Sequence, residues 1–168
     1  ELKEIIENKT VERFKELLSV PSKTYEEDQM VEYISSVLDS IEGVEYYTDE
    51  MNNIYATKRQ GGFRGKFPMF VAHTDTVHNL VPEIIVEEKT LPKPPTFGRT
   101  FDETQYDVLK AYTPDGNPTG IGGDDKCGIF ICLELLQTLS NVKVGLFVSE
   151  ETGCHGSSKC DVKFLNDV

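Results

Sequence analysis

Positive charge is in short supply: 17 Lys and Arg stand against 29 Asp and Glu in 168 residues, a formal net charge of -12. Such a surface repels a phosphate backbone and argues against nucleic acid as a partner. Long apolar runs are lacking too. No stretch approaches the roughly 20 residues of a membrane span, and no secretory signal pattern is read at the start, so the expectation is a cytoplasmic protein with no membrane partner. Cysteine is sparse, and Cys127, Cys132, Cys154 and Cys160 contain no CxxC pair. That excludes a disulfide framework and fits reduced cytosolic thiols. Cys154, His155 and Cys160 lack a fourth ligand and the spacing of a structural zinc site. Internal repeats are absent.

What is present is ordinary for a soluble globular chain, with 38% hydrophobic and 27% charged residues and a length suited to one domain. Val11, Phe14, Leu17 and Leu18 fall at helical spacing and predict a helix over 10–19, closed by Pro21. Tyr25, Met30, Val31, Ile34, Val37, Leu38 and Ile41 mark the buried stripe of a second helix, with Glu26, Glu27 and Asp28 at its positive end and Gly43 at its stop. Segments 44–48 and 53–57 alternate as a hairpin around 49–52. The run KFPMFVAH over 66–73 and the run NVKVGLFV over 141–148 read as strands, the second covered on both sides. Between them, 79–117 is a proline-rich excursion with two short strands at 84–88 and 108–112, and TGIGGDDKCG opens an apolar helix over 129–139. The order of elements predicts an α/β sandwich with a mixed sheet.

Three polar clusters stand where apolar elements begin or end: His73-x-Asp75, Asp124-Asp125 and Glu150-Glu151. In open α/β sheets such ends converge on one crevice. His73 and Asp75 lie on the same side of an extended strand, so the carboxylate can fix one imidazole nitrogen while the other binds a metal. Asp124 and Asp125 are capping acids for the helix they open, or else one of them bridges two metals. Glu150 and Glu151 cannot readily point the same way, which suits one as ligand and the other as general base toward a water.

In order and approximate spacing, HTDTV from His73, GGDDKCG from Gly122 and SEETG from Ser149 resemble the motifs of the peptidase T and carboxypeptidase G2 group of dinuclear zinc metallopeptidases. The resemblance implies a three-layer α/β/α sandwich with a mixed, mostly parallel sheet. It also implies hydrolysis of peptide bonds in short peptides, of aminopeptidase or tripeptidase type, with two zinc ions as cofactors; cobalt or manganese would suit the same ligands. By this likeness His73 and Glu151 are metal ligands, Asp124 bridges both metals, Asp75 orients His73 and Glu150 is the general base. His78 and Asp125 are candidate substrate-facing residues, and a homodimer is a further expectation. A related amidase or deacylase, or a non-catalytic metal- or partner-binding relative, would share the motifs.

The group also uses a later aspartate and histidine as ligands, and a separate lid or dimerisation domain, none of which is found over 1–168. The sequence is therefore expected to be the N-terminal part of such a catalytic domain, incomplete and inactive by itself.

Overall fold

A computed structural model describes residues 2–77, 84–92 and 105–168, with side chains from 9 onward in the first helix and from 107 onward in the fifth strand. Along the chain these form α1 (Leu2–Ser19), α2 (Asp28–Asp39), β1 (Val44–Thr48), β2 (Ile54–Arg59), β3 (Met69–His73), β4 (Ile85–Pro92), β5 (Gln105–Tyr112), β6 (Pro118–Thr119), α3 (Gly123–Thr138), β7 (Asn141–Phe147) and α4 (His155–Ser158), followed by a 3₁₀ turn, Val162–Leu165.

The first helix runs back to Leu2, well before the expected 10–19, and ends just ahead of Pro21, whose ring disfavours helical geometry at the residue before it. The second starts only at Asp28, with Glu27 as its N-cap. Tyr25 therefore leaves the buried stripe to which its spacing assigned it: it sits ahead of the helix at φ +71° and is 67% exposed. Met30, Ile34 and Leu38 are buried as their periodicity predicts.

Four strands form one sheet in the order β1-β2-β7-β3. The expected mixed sheet is present, but the expectation of a mostly parallel one is corrected. Among the described strands of this sheet β3 and β7 run parallel, whereas the β1–β2 hairpin and the β2–β7 pair are antiparallel. Val142, Val144 and Leu146 on β7 join Ile54, Ala56 and Ala72 on one face, where Leu17 of α1, Met30 and Ile34 of α2, and Ile129 and Leu136 of α3 close over them. Each Val, Leu, Ile or Met side chain in this layer contributes about 1.5–3 kcal/mol on burial. Across the sheet, Tyr47, Tyr55, Phe147 and Phe164 pack ring against ring. The three long helices thus share one face, and the second helical layer of the expected sandwich is represented, among the described residues, by the short turn that carries Phe164.

Contacts divide the chain into two compact units, Glu1–Leu80 with Gly122–Val168, and Val81–Ile121. The second unit is the proline-rich excursion. Its two strands are longer than sequence suggests, since β4 pairs antiparallel with β5 over their full length and β6 adds to β5. No described helix is long and apolar enough to cross a membrane.

Candidate metal centre

Because β3 and β7 are parallel neighbours, with His73 in register with Phe147, their carboxyl ends lie side by side. Beyond them Thr74 N–H donates to Phe147 O at 2.8 Å. The next residues pair with the segment before α2: Thr76 N–H donates to Ser22 O at 2.8 Å and Thr24 N–H to Thr76 O at 3.1 Å. This seats Asp75 at 0% exposure. Its carboxylate accepts the N–H of Glu150 at 2.8 Å, the N–H of Glu151 at 3.2 Å and the Thr24 hydroxyl at 2.8 Å, and lies 3.3 Å from His73 Nδ1.

Burial alone would raise the pKa of Asp75, but His73 and these three donors outweigh it and hold the group down to about 2, below its ordinary 3.8. The same contact works on His73. With Asp75 as the main cause and burial opposing, aided by Asp124, the imidazole is pushed up from 6.5 to about 9. Asp75 therefore orients the imidazole and pins the turn that carries the two glutamates.

The third element is the start of α3. Gly122 caps it at φ +69°, the peptide between Asp124 and Asp125 is cis, and both aspartates are non-helical. Asp125 turns inward, accepting His73 N–H at 3.3 Å and Gly128 N–H at 2.9 Å. A Cβ at position 128 would run into that carboxylate, which is why glycine stands there. Asp124 points out, 88% exposed, with Oδ1 3.0 Å from His73 Nε2. Lys126 ties the same segment to α1: its buried Nζ donates to Leu18 O at 2.9 Å and Val20 O at 2.6 Å, and burial pushes its pKa down to about 8.

After β7 the chain turns through Ser149 at φ +53°, whose N–H and hydroxyl donate to Glu27 Oε1 at 3.0 and 3.2 Å. Glu150 O accepts the N–H groups of Gly153 and Cys154, and its side chain lies with Oε2 3.9 Å from His73 Nε2. One donor atom from each of His73, Asp124 and Glu151 lies within 4.8 Å of the others. An imidazole nitrogen and two carboxylates at that spacing fit a divalent cation of the zinc type.

Three sequence clusters 51 and 27 residues apart (73 to 124, 124 to 151) thus meet at one place. His78 lies outside the described residues. His155 is exposed on α4 and takes no part in the cluster. Two buried contributors were not foreseen as part of the site: Thr24, which donates to Asp75, and Glu27, which holds the Ser149 turn. Glu27 reads from sequence as a helix-dipole acid, and nothing in its spacing marks the turn it reaches.

No protein-family model and no curated protein matches this chain. Solved structures do. A tripeptidase from Staphylococcus aureus superposes over 96% of the chain and 41% of its own length, with TM-score 0.66 and 22% identity. Aminopeptidase PepT from Bacillus cereus superposes over 92% and 39%, with TM-score 0.65 and 21% identity. Aminoacylhistidine dipeptidase from Vibrio alginolyticus superposes over 88% and 29%, with TM-score 0.57 and 20% identity. The chain shares its fold with these structures and spans about two fifths of the first two.

Proposed function

We propose that this chain forms part of the active site of a metal-dependent peptidase acting on short peptides, of tripeptidase or aminopeptidase type. The observation that carries the reading is the convergence of His73, Asp124 and Glu151 to within 4.8 Å, with Glu150 beside them. Fold likeness to three peptidases supports it. In this reading His73, Asp124 and Glu151 would hold the metal, and Asp124 would be the ligand shared if two ions bind. Bound zinc supplies Lewis acidity and lowers the pKa of a coordinated water.

The other steps belong to side chains of this chain. Asp75 keeps His73 Nδ1 engaged, so that Nε2 faces the cluster. Glu150, more exposed than Asp75, takes the proton of the attacking water and returns it to the leaving amine. Asp125, bonded to two backbone N–H groups, braces the strand end.

The test is calorimetric titration of the chain with zinc, beside assays of the full-length protein on tripeptides and on N-acyl amino acids. Binding that Glu151→Gln weakens, with release of amino acids from the tripeptide, is expected. Cleavage of the N-acyl substrates alone would reassign the protein as an amidase. Zinc binding without turnover of either would make it a non-catalytic relative, and no zinc binding would end the reading.

A further inference from the structure

Just beyond the end of β7, Ser149 bends the chain at φ +53° while remaining buried. A non-glycine residue is strained in the left-handed region unless its surroundings hold it there. The bend decides where the next two residues go. With it, the N–H groups of Glu150 and Glu151 both reach Asp75, at 2.8 and 3.2 Å, and Glu150 Oε2 comes to 3.9 Å from His73 Nε2. Were the chain to run on as an extended strand, successive side chains would alternate between the two faces of the sheet and could not share one cluster.

Glu27 is what holds the bend. It is the N-cap residue of α2, yet its side chain makes no capping bond to that helix and is buried instead. Its Oε1 accepts both the N–H and the hydroxyl of Ser149, at 3.0 and 3.2 Å. A buried carboxylate is costly without such donors, so the pairing is favoured from both sides. Two neighbours of Glu27 reach the same place: the Thr24 hydroxyl donates to Asp75 and the Tyr25 hydroxyl to Thr152, each at 2.8 Å. The short segment ahead of α2 thus grips the glutamate turn at three points. We propose that Glu27 is a positioning residue for the reaction: acting through Ser149, it sets the aim of the Glu150 carboxylate and thereby the rate of proton transfer. The proposal rests on the reading of Glu150 as general base given above. It adds a determinant of that base which lies outside the metal cluster and 123 residues away in sequence (27 to 150).

The experiment makes two measurements on the full-length protein: hydrogen–deuterium exchange of the metal-free form over residues 148–153, and kcat and KM of the zinc-loaded form on a tripeptide. Glu27→Ala should speed exchange of the Glu150 and Glu151 amides by about tenfold or more, the scale of one buried hydrogen bond. It should lower kcat by about 10- to 100-fold, as a misplaced base does, while KM stays within about twofold. Glu27→Gln keeps an oxygen for both Ser149 donors and should recover most of that loss. In a Ser149→Gly background, Glu27→Ala should lower kcat by only about threefold or less, because glycine takes the left-handed conformation without strain. Should Glu27→Ala fail to fold, Ser149→Ala removes the hydroxyl donor from the other side, and it must speed exchange of the same two amides and lower kcat. Unaltered exchange, a loss confined to KM, or an equal loss of kcat in the parent and Ser149→Gly backgrounds would overturn the proposal. A parent protein without peptidase activity would instead sink the reading of Glu150 as base, an outcome distinct from exchange that does not respond to Glu27.

Discussion

Leu146 and Glu150 are four residues apart on one strand and its exit, yet they lie in opposite kinds of surroundings. Leu146 has 0% exposure within an aliphatic layer drawn from α1, α2, α3 and the sheet. Glu150 has a side chain 42% exposed and belongs to a polar cluster whose order comes from directional bonds. The layer is held by area removed from water, which tolerates no gap. The cluster is held through one group, Asp75, which gathers two backbone N–H groups, a hydroxyl and an imidazole. The difference teaches that fold stability and the chemistry of the site rest on separate residues. Asp75 is the exception that serves both.

Cutting into the layer should give the largest effect. Leu146→Ala should lower unfolding stability by about 3 kcal/mol or more in urea titration, as a transfer loss plus a cavity. Zinc affinity of the remaining folded protein should not change. A loss below about 1 kcal/mol would mean that the layer can collapse around the gap.

Asp75→Asn should come next, at about 2–3 kcal/mol, because an amide cannot accept all the donors gathered there and sets an N–H against the others. Unlike the leucine variant it should also weaken zinc binding, by about 10- to 100-fold, through a loosened His73. Equal zinc affinity with and without the carboxylate would show that His73 is oriented by the backbone alone.

The pH dependence of the metal-free chain sharpens the same contrast. Asp75 titrates at about 2 when folded against an ordinary 3.8, so the unfolded chain binds its proton more readily. Its contribution, of about 2 kcal/mol, is fully present above that ordinary value and is lost as pH falls through the folded one. His73 has the opposite sign. Raised from 6.5 to about 9, it stabilises fully below the lower value and its contribution disappears as pH rises through the upper one. Urea midpoints in chelator should therefore peak between the two ordinary values, and Asp75→Asn should flatten both limbs. Leu146→Ala should shift the whole curve down without changing its shape.

The two regions also differed in how far sequence revealed them. The aliphatic layer was legible because burial writes itself as period: Met30, Ile34 and Leu38 at helical spacing, Val142, Val144 and Leu146 at strand spacing. Where period was the only guide it also misled, and Tyr25 fell on the stripe although the helix starts beyond it. Strand direction left no such trace. A run buried on both faces reads alike whether its neighbours are parallel or antiparallel, so the antiparallel β2–β7 pair was not foreseen. At the strand ends and the start of α3, residue type exposed His73, Asp75, Asp124, Glu150 and Glu151, because carboxylates and imidazole at the mouths of apolar runs need a reason to be there. Thr24 and Glu27 gave no such signal. A threonine before a helix and an acid at its N-cap are ordinary in that place, and only the tertiary pairing of 22–24 with 74–76 reveals what they hold.

The smallest expected change in stability is the one that best separates the two regions. Asp124 is 88% exposed, and its carboxylate lies 3.0 Å from His73 Nε2, a contact of the surface type that contributes little. Asp124→Asn keeps the shape of the side chain and should alter metal-free unfolding by no more than about 0.5 kcal/mol. Zinc at about 100 times its dissociation constant should stabilise the parent chain by about 2.7 kcal/mol, since a ligand that binds only the folded state adds by mass action. In the variant most of that increment should vanish, because one of three converging donor atoms has lost its charge. Two melting curves with zinc and two with chelator suffice to measure it. If the variant keeps the zinc increment, the exposed carboxylate is not a ligand, and the centre must be rebuilt around His73, Glu150 and Glu151.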